Sequence, residues 1–432
     1  MINRIIWLIA SSIIIISGVY FTYKFNFIQF RFIKMFKSLF IKNKNKETIK
    51  PFSSLMMVLA GRIGVGSIAG VAISIYYGGI GSIFWMWISS ILGASLTFLE
   101  TSLGMIYQTK DTKYICKGGP SYYIKYGLSN KFLGSVYALI IIISDIFGFI
   151  SIQSNTITHS IQEIVNIESY IIGIIICIFA MVIIIGGAKR IANFASKMVP
   201  IMTLLYVFVC LIIVVINIKK IPVVIIKIFK SAFEFKSIQG GILGSLIIGI
   251  QRGIFSSEAG IGTGAISAAL THASTKEEQL SQGYLQMLGI YITTFFICTS
   301  TALVLLTSNI SNLNFSNFNG IELVQISFIE HLGIIGNYFI FIIIFLFAFT
   351  TILSSYYNGE SSLKYFISTP KKTLILLKIF TLISIFIGSI SSSNIIWNFV
   401  DILIAILAII NIYAIIKLKD EVLKLLKREK NI

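Results

Sequence analysis

The chain has 432 residues, 56% of them hydrophobic and 12% charged, with a mean hydropathy of +0.90. A soluble protein of that length needs far more polar surface, so the composition excludes one. The net charge of +18 does not point to nucleic acid either, because the cations stand mostly between apolar runs, as a positive-inside pattern requires.

Apolar runs of about 20 residues match the hydrocarbon core of a bilayer. In lipid every backbone polar group needs an internal partner, which makes such runs helices. Eleven spans are predicted, at approximately 4–23, 52–77, 82–107, 132–158, 170–187, 195–217, 239–271, 281–307, 334–358, 372–390 and 395–416. The first begins like a signal peptide, with Arg4 before an apolar run, but lacks a convincing small-residue cleavage site and is read as a retained helix. No extramembrane stretch is long enough for a second domain.

The connections set the expected orientation. Lys24, Arg31, Lys34, Lys37, Lys42, Lys44, Lys46 and Lys50 follow the first span, and Lys110, Lys113, Lys117, Lys125 and Lys131 follow the third. Lys189, Arg190, Lys197, Lys371, Lys372 and the tail from Lys417 to Lys430 fall on the same side. Loops 159–169 and 308–333 fall on the other and carry Glu163, Glu168, Glu322 and Glu330. The amino terminus is then outside and the carboxyl terminus cytoplasmic. Segment 218–238 breaks the rule with Lys219, Lys220, Lys227, Lys230 and Lys236, and its helical alternation of basic and apolar residues suits a helix lying on the membrane surface. The basic loops and tail suit either a solvated flank or contact with anionic lipid.

Cys116, Cys177, Cys210 and Cys298 have no paired or metal-ligand spacing and read as packing residues. His159, His272 and His331 stand apart at span ends or in loops with no nucleophile motif. That argues against an enzyme, and no organic cofactor is expected. Nothing resembles a channel filter loop.

Two spans are unusual. The second mixes Gly61, Gly64, Gly66 and Gly70 with Arg62 and Ser67, and the seventh mixes Gly249, Gly253, Gly260, Gly262 and Gly264 with Gln251, Arg252, Ser256, Ser257 and Glu258. Small residues alone would serve close helix packing. Glycine with charge in the same turn points instead to an unwound helix, whose freed amides favour a carboxylate and freed carbonyls a cation. Each interrupted span opens a set of five, spans two to six and seven to eleven, the order expected of an inverted-repeat secondary transporter. The single transmembrane domain 1–432 then divides into an extra helix and basic cytoplasmic linker (1–50), a first repeat (51–217), a second repeat (239–416) and a basic cytoplasmic tail (417–432). Glu100, Asp145 and Asp401 add charge within or near spans, where a partner or a water-lined position is expected. Asp145 is read as structural. Glu258 suits either a cation or substrate ammonium, or an arginine that locks the broken helix. Arg62, Glu100, Arg252 and Glu258 are therefore candidates for a gating or charge network.

At these residues the chain resembles the alanine or glycine:cation symporters, also called sodium:alanine symporters. The resemblance is carried by GRIGVGSIAGVA at 61–72, GGPSYYIKYGL at 118–128, QSN at 153–155, GGAKRIANFASKMVP at 186–200, NIKKIPVV at 217–224, RGIFSSEAGIGTG at 252–264 and FAFTTIL at 347–353. It implies an all-α LeuT-type fold with one extra amino-terminal helix, in the plasma membrane of a prokaryote, and sodium-coupled uptake of alanine, glycine or a similar amino acid by alternating access. It also implies a substrate site at Val65, Gly66, Ser67, Gln153, Ile261, Gly262 and Ser355. A sodium site is implied at the carbonyls of Ala60 and Ile63 and the hydroxyls of Thr350 and Thr351, although hydroxyl bonding to the preceding helical turn accounts for two threonines as well.

The sequence departs from the family pattern at several points. Val65 and Ser67 replace Thr and Asn, Thr293 replaces an aspartate, Phe149 and Ile150 replace Gly-Asn, and Ser355 replaces a tryptophan that closes the pocket. A serine at 355 predicts room for a side chain bulkier than alanine, such as that of serine or glutamine, unless Tyr356 fills it. The lost aspartate and asparagine leave a proton as the alternative coupling ion.

Overall fold

The structure is a computed structural model, and it describes residues 2–41, 49–110, 116–234, 241–309, 320–366 and 371–430. Lys42, Lys44, Lys46, Lys113 and Lys236 lie outside the described residues.

The described residues form α1 (Ile2–Lys24), α2 (Phe32–Ser38), α3 (Pro51–Arg62), α4 (Ala69–Gly78), α5 (Ser82–Ile106), α6 (Pro120–Gly127), α7 (Lys131–Ile142), α8 (Ile150–Gln162), α9 (Ser169–Ile184), α10 (Gly187–Ile216), α11 (Ile221–Phe233), α12 (Gly241–Ser257) and α13 (Thr263–Ala268). They continue with α14 (Lys276–Tyr291), α15 (Thr299–Thr307), α16 (Gly320–Leu332), α17 (Ile334–Phe366), α18 (Lys371–Ile390) and α19 (Ser393–Lys430). A π-helical turn, Ile143–Phe149, joins α7 to α8, and another, Ile292–Cys298, joins α14 to α15. Thr109–Lys110 and Cys116–Lys117 form a short antiparallel pair.

Among the described residues, eight continuous helices are long and apolar enough to cross a membrane. The expected spans fall on these eight, on the 16-residue α9, and on the interrupted pairs α3–α4 and α12–α13. Local chemistry sets the helix ends. Pro51 and Pro120 open their helices, where a missing N–H costs nothing. Thr275 and Glu278 form a reciprocal capping box on α14, and the Asn130 side chain caps α7.

Loop 308–333 contains a helix that hydropathy does not announce. α16 has 13 residues, too short to span, and buries Ile321, Leu323, Val324 and Phe328. The amphipathic segment at 218–238 is helical over α11 and packs on α5, with Trp85 donating to the Ala232 carbonyl at 3.2 Å and Phe84 against Phe229 and Phe233. The tail beyond 416 continues α19 through Lys430.

The extra helix α1 packs along α5 and α19. α10 packs on α3 and α17, while α18 packs on α8 and α9. The interrupted pairs thus lie inside the bundle, as the burial of Ala60, Ile63, Val65, Glu258, Ile261 and Gly262 requires.

Candidate functional site

The α3 helix stops at Arg62 because Ile63 (φ −88°, ψ 72°) and Gly64 leave helical geometry, and the chain re-forms one 3-10 turn at Val65–Ser67. The α12 helix stops at Ser257, and Glu258 (φ 53°), Gly260 (φ 77°) and Gly262 (φ 99°) turn the chain through left-handed backbone. Gly262 has a second constraint, since a Cβ there would stand 2.3 Å from the Pro120 ring and 2.6 Å from the Tyr137 hydroxyl. The two breaks meet: Ser256 Oγ, in the last turn of α12, donates to the Gly66 carbonyl at 2.8 Å.

Each break is held by side chains from neighbouring helices. At the first, Gln153 Oε1 accepts from the Val65 amide at 3.0 Å. Ser67 Oγ donates to the Arg62 carbonyl at 3.0 Å across the break, while Thr301 Oγ1 donates to the Ser67 carbonyl at 2.9 Å. At the second, the Tyr137 hydroxyl donates to the Ile261 carbonyl. Asn411 Nδ2 bridges the Gly260 carbonyl and Glu100 Oε2, both at 2.8 Å, and the Tyr123 hydroxyl donates to Asn411 Oδ1. Sequence reading passed over Tyr137 and Asn411, because a lone Tyr or Asn inside an apolar span carries no spacing signal.

The two threonines of α17 behave differently. Thr351 Oγ1 donates to the Ala60 carbonyl at 2.8 Å and lies 2.9 Å from the Phe347 carbonyl. Thr350 Oγ1 bonds Phe347 O at 3.0 Å within its own helix and faces Met202 Sδ at 3.8 Å. One hydroxyl therefore reaches the first break. The Ala60 carbonyl belongs to the last turn of α3, whose carbonyls have no partner further along the helix. Neutral oxygens of this kind are the ligands a hard cation takes. No group of three or more His, Cys, Asp or Glu suited to a metal occurs among the described residues.

Six buried ionisable side chains, Arg62, Glu100, Asp145, Arg252, Glu258 and Asp401, lie in the helices that carry or pack around the breaks. Glu258 Oε2 accepts from Thr263 Oγ1 at 2.6 Å, linking the two ends of its own break. Arg62 Nη1 donates to the Gln286 carbonyl at 2.9 Å, and its guanidinium feels Glu258 and Glu100. Arg252 does not pair with Glu258; its Nη2 meets Asp401 Oδ2 at 2.6 Å. Asp145 sits in the π turn, buried, and faces Ser355 and Asn358. Ser355 is buried, and Tyr356 beside it neighbours Glu360. Thr293 Oγ1 donates to the Gly289 carbonyl in its own helix at 3.0 Å.

Aromatic side chains close the space above Gly66. A Cβ at Gly66 would stand 2.6 Å from Phe255 Cδ1. Phe255 packs on Phe149 (centroids 5.3 Å apart) and on Trp397 (4.8 Å). Arg252 lies over Trp397 at 4.8 Å. Beyond this layer is a cavity of about 370 Å³ on the side where α1 and α19 begin.

The model of the sodium:alanine symporter family matches residues 1–431. The chain is 35% identical to the amino-acid carrier protein AlsT of Bacillus subtilis, over 98% of this chain and 89% of that protein. It is 34% identical to the probable sodium/glutamine symporter GlnT of the same organism, over 98% and 88%. Among solved structures, the manganese transporter of Eremococcus coleocola, with an aromatic bis-isothiourea compound bound, matches at a TM-score of 0.57 and 12% identity, over 84% of this chain and 76% of that one. At that identity the likeness speaks for the LeuT-type architecture alone. A match along nearly the whole chain, on a bundle with two interrupted helices, makes this protein a member of the sodium:alanine symporter family, a multi-pass membrane transporter and not an enzyme.

Proposed function

We propose that the protein carries a small neutral amino acid into the cell together with sodium by alternating access, with the amino terminus outside and the carboxyl terminus cytoplasmic. The observation that carries this reading is the meeting of the two helix breaks, joined by Ser256 Oγ and the Gly66 carbonyl at 2.8 Å. Unwound backbone inside a bundle persists only where it is paired or lines a site. Backbone amides at Val65 and Gly66 would take the substrate carboxylate, with Gln153 beside them and Ile261 and Gly262 as the facing wall.

Sodium is the second substrate. Thr351 Oγ1 and the Ala60 carbonyl, 2.8 Å apart, form one edge of its site, with the Ile63 and Phe347 carbonyls and Thr350 nearby. Sodium at this edge would join α3 to α17, while the amino acid joins the two breaks. Arg62, Glu100 and Glu258 then tie both breaks into one charge network, and Arg252 with Asp401 closes the route on the side of the aromatic layer. Each inward sodium charge gains about 2.3 kcal/mol per 100 mV of membrane potential. Binding shifts the conformational balance only through differential affinity for the two states.

A side chain longer than a methyl group is favoured by one feature. On the Ser355 side, Asp145 and Asn358 offer polar groups in place of a ring. The test is uptake of labelled alanine, glycine, serine and glutamine into proteoliposomes, with and without an inward sodium gradient. Sodium-driven uptake of any of them is the expected result. Uptake driven only by protons would overturn the ion, and none at all would overturn the substrate class.

A further inference from the structure

We propose that the elbow after α1, residues 24–40, is a docking site for an anionic phospholipid, and that the lipid seated there steadies the helix that anchors Arg62. The chain leaves α1 at Lys24, turns through Asn26 (φ 51°) and Phe27 (φ 54°), and passes one 3-10 turn, Ile28–Phe30, before α2 begins. Left-handed backbone is rare for a side chain as bulky as phenylalanine, and here it ends the run of α1. With seven residues, α2 is too short to cross a bilayer.

At 3.6 residues per turn, the residues of α2 sort into three faces. Met35 and Ser38 are buried against the bundle. Phe32, Ile33 and Phe36 fall together on a second face, with Ile33 73% and Phe36 53% exposed. Arg31, at the N-cap, shares the third with Lys34 and Lys37. A helix lying in the membrane interface needs protein, acyl chains and headgroups on different sides, and α2 has one face for each. Tyr23, Phe27, Phe30 and Phe32 extend the apolar face as a row of exposed rings, at successive centroid distances of 5.5, 6.4 and 6.5 Å. Among the described residues neither Lys24 nor Lys37 has a carboxylate partner. Cations beside an exposed apolar face fit a phosphate joined to acyl chains. A free phosphate would leave the rings in water, and a choline headgroup would bring a cation of its own against the lysines.

The elbow also grips α14. Arg31 Nη1 donates to the Tyr284 hydroxyl at 3.4 Å, and the Tyr291 hydroxyl donates to the Gln29 carbonyl at 2.7 Å. Phe32 packs on Tyr291 with centroids 5.2 Å apart, and Lys34 lies over the Tyr284 ring at 5.5 Å. Between these two tyrosines, the Gln286 carbonyl takes Arg62 Nη1 at 2.9 Å. A phosphate among the cations of the elbow offsets their mutual repulsion and holds the elbow in place. The lipid thereby steadies α14, and α14 holds the end of α3 at the first break.

The experiment is native mass spectrometry of the delipidated full-length protein in detergent, titrated with phosphatidylglycerol or with phosphatidylcholine of the same acyl chains, with a Tm measured in each lipid. The wild type is expected to retain phosphatidylglycerol at least about tenfold more tightly, and to gain Tm from it. Lys34→Gln with Lys37→Gln is expected to lose both the preference and the gain, and Lys34→Arg with Lys37→Arg to keep them. Ile33→Ser with Phe36→Ser keeps every cation and is expected to weaken retention of phosphatidylglycerol at least about fivefold. Lys417→Gln with Lys427→Gln removes two cations from the tail instead and is expected to change neither readout. No preference in the wild type, or a tail pair that loses it as fully as the elbow pair, overturns the site. Retention unchanged by Ile33→Ser with Phe36→Ser overturns the docked lipid in favour of a diffuse charged surface. A full Tm gain in Lys34→Gln with Lys37→Gln overturns the bracing of α14.

Discussion

Gln153 Oε1 accepts a hydrogen bond from the Val65 amide at 3.0 Å, so a side chain of α8 holds the unwound backbone between α3 and α4. The same glutamine lies close to Thr351, since both crowd the space where a Cβ at Gly64 would sit. The substrate and ion regions therefore share one strut.

Removing that strut leaves a buried amide without its partner, at a cost of about 1–3 kcal/mol. Gln153→Ala is expected to lower kcat/KM for sodium-driven uptake by about tenfold or more, at roughly 1.4 kcal/mol per factor of ten. Initial rates in proteoliposomes measure it, and a wild-type value would mean that the bond has no part in transport.

The threonines of α17 separate cleanly. Thr351 reaches the Ala60 carbonyl while Thr350 bonds its own helix. Thr351→Val is expected to raise the half-saturating sodium concentration at least about fivefold, near 1 kcal/mol, and Thr350→Val far less. Sodium titration of uptake checks this, and the opposite order would place the ion on the other face of α17.

Gly66 leaves no room for a side chain beside Phe255. Gly66→Ala is expected to abolish most uptake while the protein remains monodisperse. Adding Phe255→Ala is expected to restore a measurable fraction, because the clash is with that ring. Failure of the second substitution to rescue would assign the loss to the backbone at 66 instead.

Arg252 and Asp401 form a buried pair at 2.6 Å. Breaking such a pair from one side strands the other charge at about 3–5 kcal/mol, while replacing both by apolar groups costs much less. Arg252→Met and Asp401→Leu singly are therefore expected to lower the Tm in detergent more than the double variant does. A double variant less stable than either single one would show that the charges are solvated in place.

Ser355 is buried and faces Asp145 in the π turn. Ser355→Trp is expected to shift preference toward alanine and glycine over glutamine, read from competition against labelled alanine. An unchanged preference would mean that residue 355 does not bound the side-chain pocket.

Much of this architecture is legible in the chain. Hydropathy locates the spans, because a bilayer demands about 20 apolar residues per crossing. Glycine mixed with charge marks both interruptions, at 61–70 and 249–264. Those signals are local, so sequence carries them. α16 escaped because a 13-residue helix with one buried face looks like an irregular loop to a span-length criterion.

Which polar residue meets which was decided only by the tertiary structure. Ser67 closes its own break, Arg252 takes Asp401 rather than Glu258, and Thr351 rather than Thr350 crosses to the first break. Tyr137 and Asn411 hold the second break from α7 and α19, more than 120 residues away on either side. Each buried donor takes whichever acceptor packing brings within hydrogen-bond distance. That choice depends on the rotation and approach of helices distant in sequence, which no local pattern of residues records.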